Sequence, residues 1–165
     1  MNIPDDILIF TGYSFGHAAY SVCDLEEPEL LIPFALYEHE GKQSIHRFEA
    51  DSQDEAVEAA DEFITKHIDS YSLLSFAREG TMRDENGNGT DVLCIKTWSK
   101  TCEATISVIQ PFTPFYVNQR FSLIDEMVLQ INDQEIDNPS ELIQVVNEGI
   151  SMHQAAGSLY ATWRV

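Results

Sequence analysis

Tyr71-Ser-Leu-Leu-Ser-Phe-Ala-Arg-Glu79, Asp91-Val-Leu-Cys-Ile-Lys-Thr-Trp-Ser99 and Glu103-Ala-Thr-Ile-Ser-Val-Ile-Gln-Pro-Phe112 decide the fold class. Each segment is rich in Val, Ile, Thr and aromatic residues with partial alternation, the pattern of a half-buried strand. The polar run Arg83–Thr90, with two Asn-Gly pairs, connects the first two as a turn. Strands this close in sequence pair antiparallel. Pro111 and Pro114 end the third strand or place it at an edge, because proline cannot donate to the ladder. Phe121–Ile124 and Met127–Ile131 add two short strands.

Toward the N-terminus, Ser52-Gln-Asp-Glu55 is a capping box, so a helix follows that buries Ala56, Val57, Ala60, Phe63 and Ile64 and ends near His67 or Ile68. Before it, Leu31–Glu40 and Gln43–Ala50 read as a hairpin. Gly41-Lys42, with glycine first, suits a type II′ turn. That register pairs His39 with Ser44, Tyr37 with His46 and Ala35 with Phe48. Residues 3–23 carry Ile7, Leu8, Phe15, Ala18, Ala19 and Val22 at helical spacing, with Asn2 as the expected cap. A buried strand at Ile7–Phe10 is the alternative. Gly12 and Gly16 weaken the helix but would let another element approach closely. Toward the C-terminus, Asn138-Pro-Ser-Glu141 marks a further helix, with Asn138 as cap and Pro139 at the first position. Beyond Gly149 the stripe Met152, Ala156, Leu159, Tyr160, Trp163 keeps helical spacing, while Leu159, Ala161, Trp163 and Val165 also alternate as in a strand. The expected architecture is α+β: a mostly antiparallel sheet of about five to seven strands packed with an N-terminal, a central and a C-terminal helical segment, in one globular domain spanning 1–165.

The stretch Glu126-Met-Val-Leu-Gln-Ile-Asn-Asp-Gln-Glu-Ile136 followed by Glu141-Leu-Ile resembles the second half of a PDZ domain over about a quarter of the chain. No glycine-rich carboxylate-binding loop precedes it, and no PDZ function is carried over.

The chain has 165 residues and 28 acids against 9 bases, a formal net charge of −19. Residues 1–70 hold 16 of the acids and 3 of the bases; the middle is nearly neutral and carries Arg78, Arg83, Lys96, Lys100 and Arg120. This balance argues against direct binding to nucleic acid or an anionic membrane, both polyanions. No apolar run approaches the roughly 20 residues of a membrane helix. The start Met-Asn-Ile-Pro-Asp-Asp lacks the basic opening of a secretory signal. Three cysteines, with no CxxC pair, do not describe a disulfide framework, so free thiols in a reducing cytoplasm are expected.

Motifs for chemistry are sparse. Asp84-Glu-Asn-Gly-Asn-Gly89 opens like an EF-hand loop, but position 12 falls on Ile95, where calcium needs a bidentate carboxylate. His39 and His46 share a hairpin face, about 7–8 Å apart on the diagonal, with no third ligand nearby for zinc. Pro111-Phe-Thr-Pro-Phe-Tyr116 reads as aromatic cover for the core rather than as an exposed partner patch. No nucleophile elbow, P-loop, dinucleotide fingerprint or H-E-x-x-H is present, so no catalytic residue, metal ligand or cofactor is assigned.

Two functional classes stay open. The first is a non-catalytic cytoplasmic protein-binding module, an inhibitor, immunity-like protein or adaptor, that meets a basic protein through an acidic face. Its candidate contacts are Asp24, Glu26, Glu27, Glu29, Asp54, Glu58, Asp61 and Glu62. The bland alternative is that this acidity serves solubility. The second class is a small enzyme or ligand sensor with a pocket near His17 and His153, each set in an apolar pattern. A His beside a carboxylate in a concave pocket would favour it.

Overall fold

In a computed structural model, which describes residues 2–164, the chain runs α1 (Asp5–Val22), β1 (Phe34–His39), β2 (Lys42–Arg47), α2 (Gln53–His67), β3 (Leu73–Arg83), β4 (Gly89–Ser99), β5 (Cys102–Thr113), α3 (Phe115–Asn118), β6 (Ser122–Leu123), β7 (Val128–Ile131), β8 (Gln134–Glu135), α4 (Ser140–Met152) and α5 (Gln154–Trp163). The fold is α+β. The eight strands form one sheet in the order β2-β1-β3-β4-β5-β7-β8, with β6 beside the far end of β5, and every strand pair is antiparallel.

The period of two in the long strands separates two cores. One face carries the cross-strand rows Ser75, Thr97, Ile106, Ile131 and Ala77, Ile95, Val108, Leu129. Helices α1, α4 and α5 bury that face around Phe15, Ile150, Ala156 and Trp163. The other face carries Leu74 and Phe76, which pack with Ala35 and Phe48 under Ala56, Ala60 and Ile64 of α2. Helix α1 is held to the sheet by buried hydroxyls: Thr11 Oγ1 lies 2.8 Å from Thr97 Oγ1, and Ser14 Oγ lies 2.5 Å from Ser75 Oγ. It crosses α4 in backbone contact. A Cβ at Gly12 would stand 1.9 Å from the Val146 carbonyl oxygen, and one at Gly149 would stand 2.0 Å from the Ile9 carbonyl oxygen. The close approach that Gly12 allows is therefore used by α4, and Gly16 lies against Ala156 and His153. No helix among the described residues is long and apolar enough to cross a membrane.

Several local expectations are corrected. Helix α1 is capped at Pro4, without a side-chain cap bond, so Asn2 lies too far back to serve. The β1–β2 turn is Glu40-Gly41, both at positive φ (51° and 79°), the type I′ signature. Its register pairs Tyr37 with Ser44 and Ala35 with His46. Moving the turn by one residue shifts the pairing by two, so the two faces of the hairpin survive. His39 now pairs with Lys42, and His46, opposite Ala35, stacks on Phe63, so the two imidazoles share no site. Ser52 Oγ accepts from the Glu55 amide as expected, whereas Val57 and Phe63 are half-buried on the flanks of α2. Strand β5 lies inside the sheet, and Pro111 falls where its second neighbour changes from β7 to β6. Asn138 adopts positive φ, and the cap of α4 is Pro139. The C-terminal stripe is helical, with a break at His153.

Candidate functional site

The fold joins two histidines 136 positions apart. His17 projects from α1, and His153 is the extended residue between α4 and α5 (φ −76°, ψ 117°). His153 Nδ1 accepts the Ala156 amide at 3.0 Å and so caps α5. With Nδ1 committed as an acceptor, the neutral ring carries its proton on Nε2 and donates to His17 Nδ1 at 3.1 Å. Tyr13 and Tyr20 tilt against the His153 ring, and Phe34 meets the His17 ring edge-on. Burial lowers the His17 pKa to about 4, helped by the neighbouring His153 and Arg47; burial also lowers that of His153. The pair is therefore neutral near pH 7. Among the described residues neither ring bonds a carboxylate, and neither lines the grooves described next.

The candidate acids divide. Asp24, Glu26 and Glu27 sit on the connection from α1 to β1 and line neither of the two larger grooves. Glu29 lines a groove of about 590 Å³ with Ile32, Phe48, Glu49 and Asp51. Asp54, Glu58 and Asp61 line a second, longer groove of about 840 Å³ beside α2, while Glu62 does not. Gln53, at the start of α2, borders both grooves.

The second groove has a wall and a floor of different chemistry. The wall is α2, whose acids recur at i, i+4 and i+7 and so form one stripe. The floor is the sheet face carrying the rows Phe76, Lys96, Ser107, Gln130 and Arg78, Cys94, Ile109, Val128, with Trp98 at one end. Lys96 Nζ contacts Asp133 at 3.0 Å and lies over the Trp98 ring. Among the described residues, Asp54, Glu58, Asp61 and Arg78 form no ion pair. Burial raises the Cys94 thiol pKa against the opposing pull of Arg78, and so favours the protonated thiol. The floor residues follow from the β3–β4–β5–β7 register, which no local pattern announces.

Glu79 was not singled out from sequence, although it continues the inward phase of Leu73, Ser75 and Ala77. Its buried carboxyl accepts the Leu31 amide at 3.2 Å, and burial raises its pKa to about 7. No group of three or more His, Cys, Asp or Glu among the described residues is placed to hold a metal. The EF-hand-like stretch is a hairpin loop in which Asp84 Oδ1 accepts the amides of Asn86 and Asn88 at 2.9 Å. Comparison with protein-family models, curated proteins and solved structures finds no match to this chain.

Proposed function

We propose that this is a cytoplasmic, non-catalytic protein-binding module, an inhibitor, immunity-like protein or adaptor, that engages a basic protein through the acidic side of α2. One observation carries the reading: Asp54, Glu58 and Asp61 line an open groove and have no ion-pair partner among the described residues. Unpaired carboxylates along a concave surface attract cationic partners and repel acidic ones. The enzyme reading lacks the combination it asked for, since the histidine pair has no bonded carboxylate among the described residues and borders none of these grooves.

The test is capture from lysate of the source cell on tagged protein, washed at low and then moderate salt, beside the variant Asp54→Asn/Glu58→Gln/Asp61→Asn. A stoichiometric basic protein that leaves as salt rises, and that the variant fails to retain, supports the reading. Equal retention by the variant, or an empty eluate from both, overturns it.

A further inference from the structure

The groove beside α2 is also the uncovered half of one sheet face. Helix α2 packs over β1 and β3 through Ala56, Ala60 and Ile64. The same face of β4, β5 and β7 carries the half-buried Ile109 and Val128, with no described helix above them, and Trp98 at its edge packs against the α2 cluster. Strands lie about 4.8 Å apart, so β4–β5 is centred about 10 Å from the strands under α2. That is the spacing of two helices packed side by side, 8–10 Å. The uncovered strip is one helix wide. A strand could not fill it, because β4 and β5 are each paired with a strand on either side and β7 with β5 and, at Gln130 and Ile131, with β8. An extended peptide lying on this face would bury amides with no partners, whereas a helix satisfies its own.

Building on the proposed protein-binding function, we infer that the occupant is an amphipathic α-helix of the basic partner, laid alongside α2 on the β4–β5–β7 face. Its apolar stripe meets Trp98, Ile109 and Val57. Its flank toward α2 carries Lys or Arg at i, i+4 and i+7, opposite Asp54, Glu58 and Asp61. A second copy of this chain does not fit. Each copy carries a charge of −19, and Lys66 is the only Lys or Arg within its described helices. Four turns, about 15 residues, match the length of α2.

The experiment uses three fluorescent peptides of about 15 residues: an amphipathic Leu/Lys helix, a scramble of the same composition without a stripe, and the helix with two positions replaced by proline. Anisotropy is read at roughly 150 mM salt. The amphipathic peptide is expected to bind at least about ten-fold tighter than the other two, or about 1.4 kcal/mol. Asp54→Asn/Glu58→Gln/Asp61→Asn, Ile109→Lys and Gln130→Lys should each weaken it by about ten-fold or more. Circular dichroism confirms that each variant is folded, and the two floor variants are independent of one another. If all three peptides bind alike but lose affinity with the triple variant, the helix is overturned and the acidic-face reading stands. If no peptide responds to the triple variant, both fall. Unchanged binding in the folded floor variants also overturns the inference.

Discussion

At the scale of single residues, two buried titrating groups pull stability in opposite directions as pH falls. The His17–His153 pair is held neutral in the folded chain, while an unfolded histidine takes up its proton below about 6.5. Between about 6.5 and about 4 the unfolded chain binds more protons, so this contribution is intact above 6.5 and is lost on acidification. The urea midpoint should therefore fall from pH 7.5 to pH 5, and fall less in His17→Gln/His153→Asn, where Asn keeps a capping acceptor. A variant with the wild-type pH slope would exclude the pair as its source. Glu79 works the other way. Its folded pKa is raised from 4.5 to about 7, so the folded chain holds the extra proton between those values and gains stability as pH falls. Glu79→Gln keeps the acceptor for Leu31 and removes the buried charge. It should raise stability at pH 8 by about 1–3 kcal/mol, a gain that shrinks toward pH 5. A less stable variant at pH 8 would contradict this. The apolar settings of His17 and His153 were legible in the sequence. Their meeting was not, because it depends on how α4 crosses α1.

At the scale of elements, α1 and α4 cross in backbone contact at Gly12 and Gly149. Either Gly12→Ala or Gly149→Ala would drive a methyl into a carbonyl of the facing helix. The loss should be about 2–3 kcal/mol by thermal or urea unfolding, even though alanine favours a helix by about 1 kcal/mol. Little or no loss in both variants would show that the helices separate freely. Strong local signals located the elements well: the Ser52 cap, the strand composition from Leu73 to Phe112, and the apolar stripes of the terminal helices. Weak ones did not. Glu40 takes a left-handed turn position usually given to Gly or Asn, so the sequence pattern points to a turn one residue later than the true one. The proline that suggested a strand end sits within an interior strand, because the neighbour changes there. The two-residue β8 is too short to leave a pattern.

At the scale of the whole molecule, 28 acids face 9 bases, and only one Lys–carboxylate ion pair forms among the described residues. Self-repulsion should be relieved by screening, so Tm should rise by several degrees between roughly 10 and 200 mM NaCl, where the Debye length falls from about 30 to under 10 Å. A flat or falling Tm would show that the acids are spaced too widely to repel. The acidic bias of the first half was plain from composition. Its division was not: Asp54, Glu58 and Asp61 share a groove with residues of β4, β5 and β7, while Asp24, Glu26 and Glu27 stand on a separate connection. That grouping is a property of the sheet register, which brings Gln53 and Asp133 to one groove from opposite ends of the sheet's sequence.

The glycine crossing also sets a timetable. On the ribosome α1 emerges ahead of the other described elements, yet the helix that crosses it is written some 130 residues later. At about 5–20 residues per second, α1 waits roughly 7–26 s for α4. Through that interval the back of α1 at Ile9, Gly12 and Gly16, where α4 and α5 later pack, stands without its cover. A nascent chain halted before Ser140 would display it, giving chaperones and proteases a surface that the finished protein never shows.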